Sequence, residues 1–150
     1  VKTNILLIED DHKKMDDIKS FVESKFPDMQ LTIKQSYQSG LRTIIQDKFD
    51  LLLLDMSLPT WKSIELEDMG SFEKFGGVNI MKEMQRRKII VKTILITMFD
   101  DFGEGDSSIT LPQIDEYLRS DFSNFYLGYI FYNSRSTDWT EKLRTYLAAY

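Results

Sequence analysis

No cysteine occurs in the chain, which removes disulfides, thiolate nucleophiles and thiolate metal sites and suits a reducing cytosol. Histidine is almost as scarce. His12, the only one, makes neither a catalytic triad nor a zinc centre by itself and reads as a solvated residue at a helix start. Positive charge is short too: 19 Lys and Arg stand against 24 Asp and Glu, for a net charge of -5. A nucleic-acid module needs a basic face to neutralise phosphates, so no direct nucleic-acid contact is expected. No apolar run approaches the ~20 residues of a membrane span, and the start Val1-Lys2-Thr3-Asn4 lacks the apolar region of a signal peptide. A cytoplasmic protein that does not enter membranes is the expectation.

What is present points to a packed core. Hydrophobic residues make up 42% of the 150 and aromatics 13%, with 29% charged to keep the surface wet. The length fits one domain spanning 1–150, with no room for a second of ordinary size. Four apolar runs are continuous rather than alternating: Asn4–Ile8, Leu51–Leu54, Thr93–Ile96 and Tyr126–Phe131. Continuity predicts strands covered on both faces of a parallel sheet. The alternating run Gln30–Lys34 suits an exposed edge.

Helical spacing fills the intervals: Met15, Ile18, Val22 and Phe26; Tyr37, Leu41, Ile44 and Ile45; Val78, Met81 and Met84; Leu111, Ile114, Leu118 and Phe122; Trp139, Leu143, Tyr146 and Leu147. The methionines in these stripes read as core packing. Thr110 and Gln113 have capping-box spacing. Strands alternating with helices predict right-handed crossovers and a doubly wound α/β fold. Long connections are expected at about 56–75 and 99–109, both on the carboxyl edge, where such sheets place their ligands. Trp61, Phe72 and Phe75 would anchor the first of them.

The chemistry concentrates at that edge. Strand one ends in Glu9-Asp10-Asp11 and strand three in Asp55, so carboxylates from neighbouring strands converge. Crowded carboxylates repel unless a cation joins them, and an all-oxygen site suits Mg²⁺. Asp11 alone reads as a helix cap. Asp55 has no helix directly after it, so capping does not account for the set.

Leu7-Ile8-Glu9-Asp10-Asp11, Leu53-Leu54-Asp55-Met56-Ser57-Leu58-Pro59, Gly76-Gly77, Ile96-Thr97 and Gly128-Tyr129, taken in order, resemble the receiver domain of two-component response regulators. The resemblance implies a flavodoxin-like five-stranded parallel sheet of order 2-1-3-4-5. It implies that Asp55 accepts a phosphoryl group, with Mg²⁺ held by Glu9, Asp10, Asp55 and the backbone carbonyl of Ser57. Thr97 would contact the phosphoryl group and Tyr129 would be the switch aromatic. A sensor histidine kinase or phosphotransfer protein would be the donor. The output would be a downstream protein partner on the face of helix four, strand five and helix five. Such a module is a switch, with at most Mg²⁺-dependent self-phosphorylation and autodephosphorylation, and not a turnover enzyme.

One departure stands out. Receivers carry a Lys near the end of strand five, where this chain has Tyr132 followed by Asn133. A phenol offers one neutral hydrogen bond of about half the strength of a charge-assisted one. Lys62 and Arg135 are nearby cations but read as solvated surface charges. The departure leaves a second reading open, a pseudo-receiver acting as a phosphorylation-independent interaction module. A flavin site fits less well, because the acidic loop after strand one would repel a phosphate. A haloacid-dehalogenase-type phosphatase would want an Asp where Ser57 stands.

Overall fold

Apolar runs without alternation need cover on both faces, and the chain supplies it. The structure, a computed structural model, describes residues 2–58, 76–99, 101–102 and 109–150. The elements are β1 (Asn4–Ile8), α1 (His12–Lys25), β2 (Gln30–Lys34), α2 (Tyr37–Gln46), β3 (Leu51–Leu54), α3 (Gly76–Arg86), β4 (Lys92–Thr97), β5 (Asp101–Phe102), β6 (Ile109–Thr110), α4 (Leu111–Asp121), β7 (Tyr126–Phe131) and α5 (Asp138–Leu147). The main sheet is five-stranded and parallel in the order β2-β1-β3-β4-β7. Counting only its own strands, that is the expected 2-1-3-4-5, with β7 as the fifth. The 99–109 connection, expected as loop, contributes an antiparallel ladder in which Asp101 pairs Thr110 and Phe102 pairs Ile109.

Alternation along each strand splits the core in two. Leu6, Ile8, Leu52, Leu54 and Leu95 face a cluster with α2, α3 and α4 residues such as Ile44, Met81 and Leu118. Ile5, Leu7, Leu51, Leu53, Ile94, Ile96 and Ile130 face the other cluster, built with Met15, Ile18, Val22, Trp139 and Leu143 from α1 and α5. All four residues of β3 are fully buried, as a central strand requires, whereas the edge strand β2 is half-exposed. Met15, Met81 and Met84 pack in the core as expected. Ile45 departs from its stripe and is exposed, because α2 turns only Gly40, Thr43 and Ile44 fully inward.

Three local devices fix the carboxyl edge. Asp11 caps α1, its Oδ1 accepting from the Lys14 amide at 2.9 Å, as the sequence reading has it. Thr110 and Gln113 complete the capping box of α4. Gly76 and Gly77 open α3 where the chain passes close to the β3 exit. A Cβ on Gly76 would lie 1.9 Å from the Leu58 carbonyl oxygen, and one on Gly77 2.6 Å from that of Asp55. Only glycine permits that approach.

Candidate functional site

Parity explains how the acids meet. Ile5, Leu7 and Glu9 share one face of β1, and Leu51, Leu53 and Asp55 share the same face of β3. The ladder continues one step beyond the strands, where the Asp55 amide donates to the Ile8 carbonyl at 3.0 Å. Glu9 and Asp55 therefore emerge side by side under α1. One ligand oxygen from each of Glu9, Asp10 and Asp55 can be chosen so that all lie within 4.8 Å of one another. Glu9 and Asp55 are buried, while Asp10 opens to solvent.

Asp55 is held firmly. Its Oδ1 accepts from the Ser57 amide at 3.2 Å, the Ser57 hydroxyl at 3.1 Å and the Lys14 ammonium at 3.3 Å. Thr97, fully buried at the tip of β4, accepts at Oγ1 from the Phe99 amide at 3.2 Å. Tyr129 shares the sheet face of Leu95 and Thr97, opposite to that of Glu9 and Asp55, and packs against the first core cluster, with the Lys142 ammonium 5.1 Å from its ring centroid. The preceding Gly128, at φ 153°, sits at a register shift between β4 and β7; a Cβ there would lie 2.4 Å from the Tyr146 hydroxyl.

Lys14 is the pocket residue that the sequence reading missed. Its side chain is completely buried, and Nζ lies 2.5 Å from Glu9 Oε1 and donates to the Ile96 carbonyl at 2.7 Å. The Glu9 contact is not aligned as a hydrogen bond, and Oε1 has no directed partner among the described residues. The signal was in the spacing. Lys14 precedes Ile18 by four and Val22 by eight, on the buried stripe of α1, and a lysine there must meet a buried anion. Tyr132, at the position where a lysine was expected, turns its hydroxyl to Asp17 Oδ2 and packs its ring against Trp139, tilted by 56° at a centroid distance of 5.4 Å. Burial, followed by the hydrogen bond to Asp17, raises its hydroxyl pKa. Arg135 is exposed, and Lys62, Trp61, Phe72, Phe75 and Pro59 lie outside the described residues, as do most of the 56–75 and 99–109 connections.

Among the described residues three acids share one ammonium, which leaves them short of positive charge. Burial pushes the Glu9 carboxyl up to about 8, against the pull of Lys14 and with further repulsion from Asp55. Burial and then Asp55 raise Asp10 as well. If all three acids were ionised, the ammonium would leave about two negative charges over, the deficit that one divalent cation cancels. The oxygen-only donor set and the undirected Glu9 Oε1 fit such an ion.

No family model matches the chain. The uncharacterized protein y4jR of Sinorhizobium fredii is 30% identical over 142 residues, covering 93% of both chains. The Detocs response regulatory protein DtcB of Enterobacter cloacae is 27% identical over 141 residues, covering 93% of this chain and 94% of that one. Among solved structures, a CheY-like response regulator receiver domain from Methanospirillum hungatei matches with a TM-score of 0.63 at 20% identity, over 99% of this chain and 96% of that one. The response regulator TrrA of Thermotoga maritima, solved in complex with Mg²⁺ and BeF, matches with a TM-score of 0.60 at 16% identity, over 97% and 98%. The chain has the fold of response-regulator receiver domains and is similar over nearly its whole length to a response regulatory protein.

That fold supports a role in phosphorelay signalling, in which response regulators work with histidine kinases or phosphotransfer proteins and downstream effectors. Among the described residues, no helix is long and apolar enough to cross a membrane.

Proposed function

We propose that residues 1–150 act as one receiver-like unit in the cytoplasm, taking a phosphoryl group on Asp55 from a sensor histidine kinase or phosphotransfer protein. The observation that carries this reading is the Asp55 carboxylate, 2% exposed, with one oxygen fixed by three donors and two further acids beside it. Such a group is pre-positioned to attack, and phosphoryl transfer asks the protein chiefly for positioning and charge. Oδ2, which none of those three donors engages, forms the bond to phosphorus as the P–N bond of the donor phosphohistidine breaks. The electron pair leaves with the imidazole nitrogen.

Glu9, Asp10, Asp55 and the Ser57 backbone carbonyl would hold Mg²⁺, which when bound offsets the charge gathered on the transferring group. Thr97 stands at the neighbouring strand tip, where its hydroxyl can turn from the Phe99 amide to a phosphoryl oxygen. That movement vacates space toward which Tyr129 can swing from its place under Lys142. The consequence would be read by a downstream protein on the α4, β7 and α5 face, where Tyr117 and Phe131 are exposed.

The test is intact mass after incubation with Mg²⁺ and acetyl phosphate. One phosphoryl adduct on the wild type, absent from Asp55→Asn, is the expected result. No adduct on the wild type, with Mg²⁺ and donor in excess, overturns the phosphoacceptor reading in favour of a phosphorylation-independent interaction module.

A further inference from the structure

We propose that Lys14 is the phosphoryl-pairing cation of this pocket, delivered from helix α1 because Tyr132 occupies the strand tip. The inference rests on the reading of Asp55 as phosphoacceptor. Its ground is the environment of one side chain. Lys14 has no exposed surface, and its Nζ divides its contacts among Glu9 at 2.5 Å, Asp55 at 3.3 Å and the Ile96 carbonyl at 2.7 Å. An ammonium taken wholly out of water is costly unless anions and acceptors replace the lost hydration. Here all three replacements lie at the strand tips around Asp55.

The helix and the strand tip have exchanged tasks. Tyr132 reaches from the end of β7 to Asp17 on α1, and Lys14, three residues earlier on α1, reaches into the pocket. Asp11 fixes the first turn by capping the Lys14 amide, so the ammonium is supplied from a rigid element. A phosphoryl group on Asp55 would bring about −1.5 to −2 charge and three acceptor oxygens to within reach of Nζ. The proton that Lys14 now directs at Asp55 Oδ1 would then be given to a phosphoryl oxygen, while the Ile96 carbonyl keeps another. No proton is transferred; only the acceptor changes.

The rate of acetyl phosphate labelling in Mg²⁺, followed by intact mass, tests the assignment. A charge-assisted hydrogen bond lost from the transferring group predicts that Lys14→Met labels about tenfold more slowly, or worse. Adding Tyr132→Lys to Lys14→Met, which returns a cation to the strand tip, should recover part of the rate. Wild-type labelling by Lys14→Met overturns the proposal, and so does a folded double variant as slow as Lys14→Met, because Lys14 would then be only structural. If Lys14→Met does not fold, the ammonium resonance of wild-type Lys14 carries the test. It should shift on addition of Mg²⁺ with beryllium fluoride, and a resonance that stays in place refutes the pairing. Failure of the wild type to label at all is a different result, and it removes the phosphoacceptor reading itself along with this one.

Discussion

Raising pH from 5.5 to 8.5 without divalent ions should destabilise this protein, the reverse of what acid-sensitive surface carboxylates produce. Glu9 has an ordinary value of 4.5 and is pushed up to about 8 by burial, so the folded chain keeps a proton that the unfolded chain releases. The stability tied to that proton is complete below pH 4.5 and is lost as pH rises through about 8. At 1.36 kcal/mol per pH unit the whole window is worth at most about 4–5 kcal/mol, and Asp10, also raised, adds with the same sign. Asp17 and Glu83, lowered by their partners, act oppositely, but their contribution is lost only as pH falls below the ordinary carboxylate range. Urea melts at pH 5.5, 7.0 and 8.5 should therefore show a falling midpoint. Glu9→Gln, which cannot lose the proton, should flatten the decline. Mg²⁺ needs the deprotonated acids, so its stabilising effect should be small at pH 5.5 and grow toward pH 8.5. A midpoint that rises over this range, or a Glu9→Gln slope equal to the wild type, would refute the reasoning.

Two further outcomes follow from packing at the same edge. Tyr132→Phe keeps the ring on Trp139 but removes the hydroxyl from Asp17, and a thermal or urea melt should register a loss of about 1 kcal/mol. Gly77→Ala places a methyl 2.6 Å from the Asp55 carbonyl oxygen and should cost about 1–3 kcal/mol by displacing the start of α3, with slower acetyl phosphate labelling as a second readout.

The sheet was legible because its strands are unbroken apolar runs, and β3, with four leucines, has no amphipathic alternative. The acidic cluster was legible for a related reason. Glu9 and Asp55 each continue a hydrophobic strand by one step of the same parity, so their convergence follows from register alone. The β5–β6 ladder was not, since two-residue strands carry no periodic signal. Lys14 escaped because the cation was sought near the strand tip and in the loops. In a chain with 19 basic residues, a single lysine on an apolar stripe is easily taken as a surface residue whose stem lies along the core. Its burial becomes apparent only when Glu9 and Asp55 are known to sit beneath α1.

Because Lys14 comes from α1, the charged groups that the described residues bring to the pocket are encoded in two short words, Glu9 through Lys14 and Asp55 through Ser57. The end of β7 carries none of that burden. It is free to change with the surface it adjoins, where Phe131 stands exposed beside the buried Tyr132. In relatives built this way, substitutions at the strand tip can retune whom the module talks to, whereas a one-residue insertion in the first turn of α1 would uncouple acids and ammonium at a stroke.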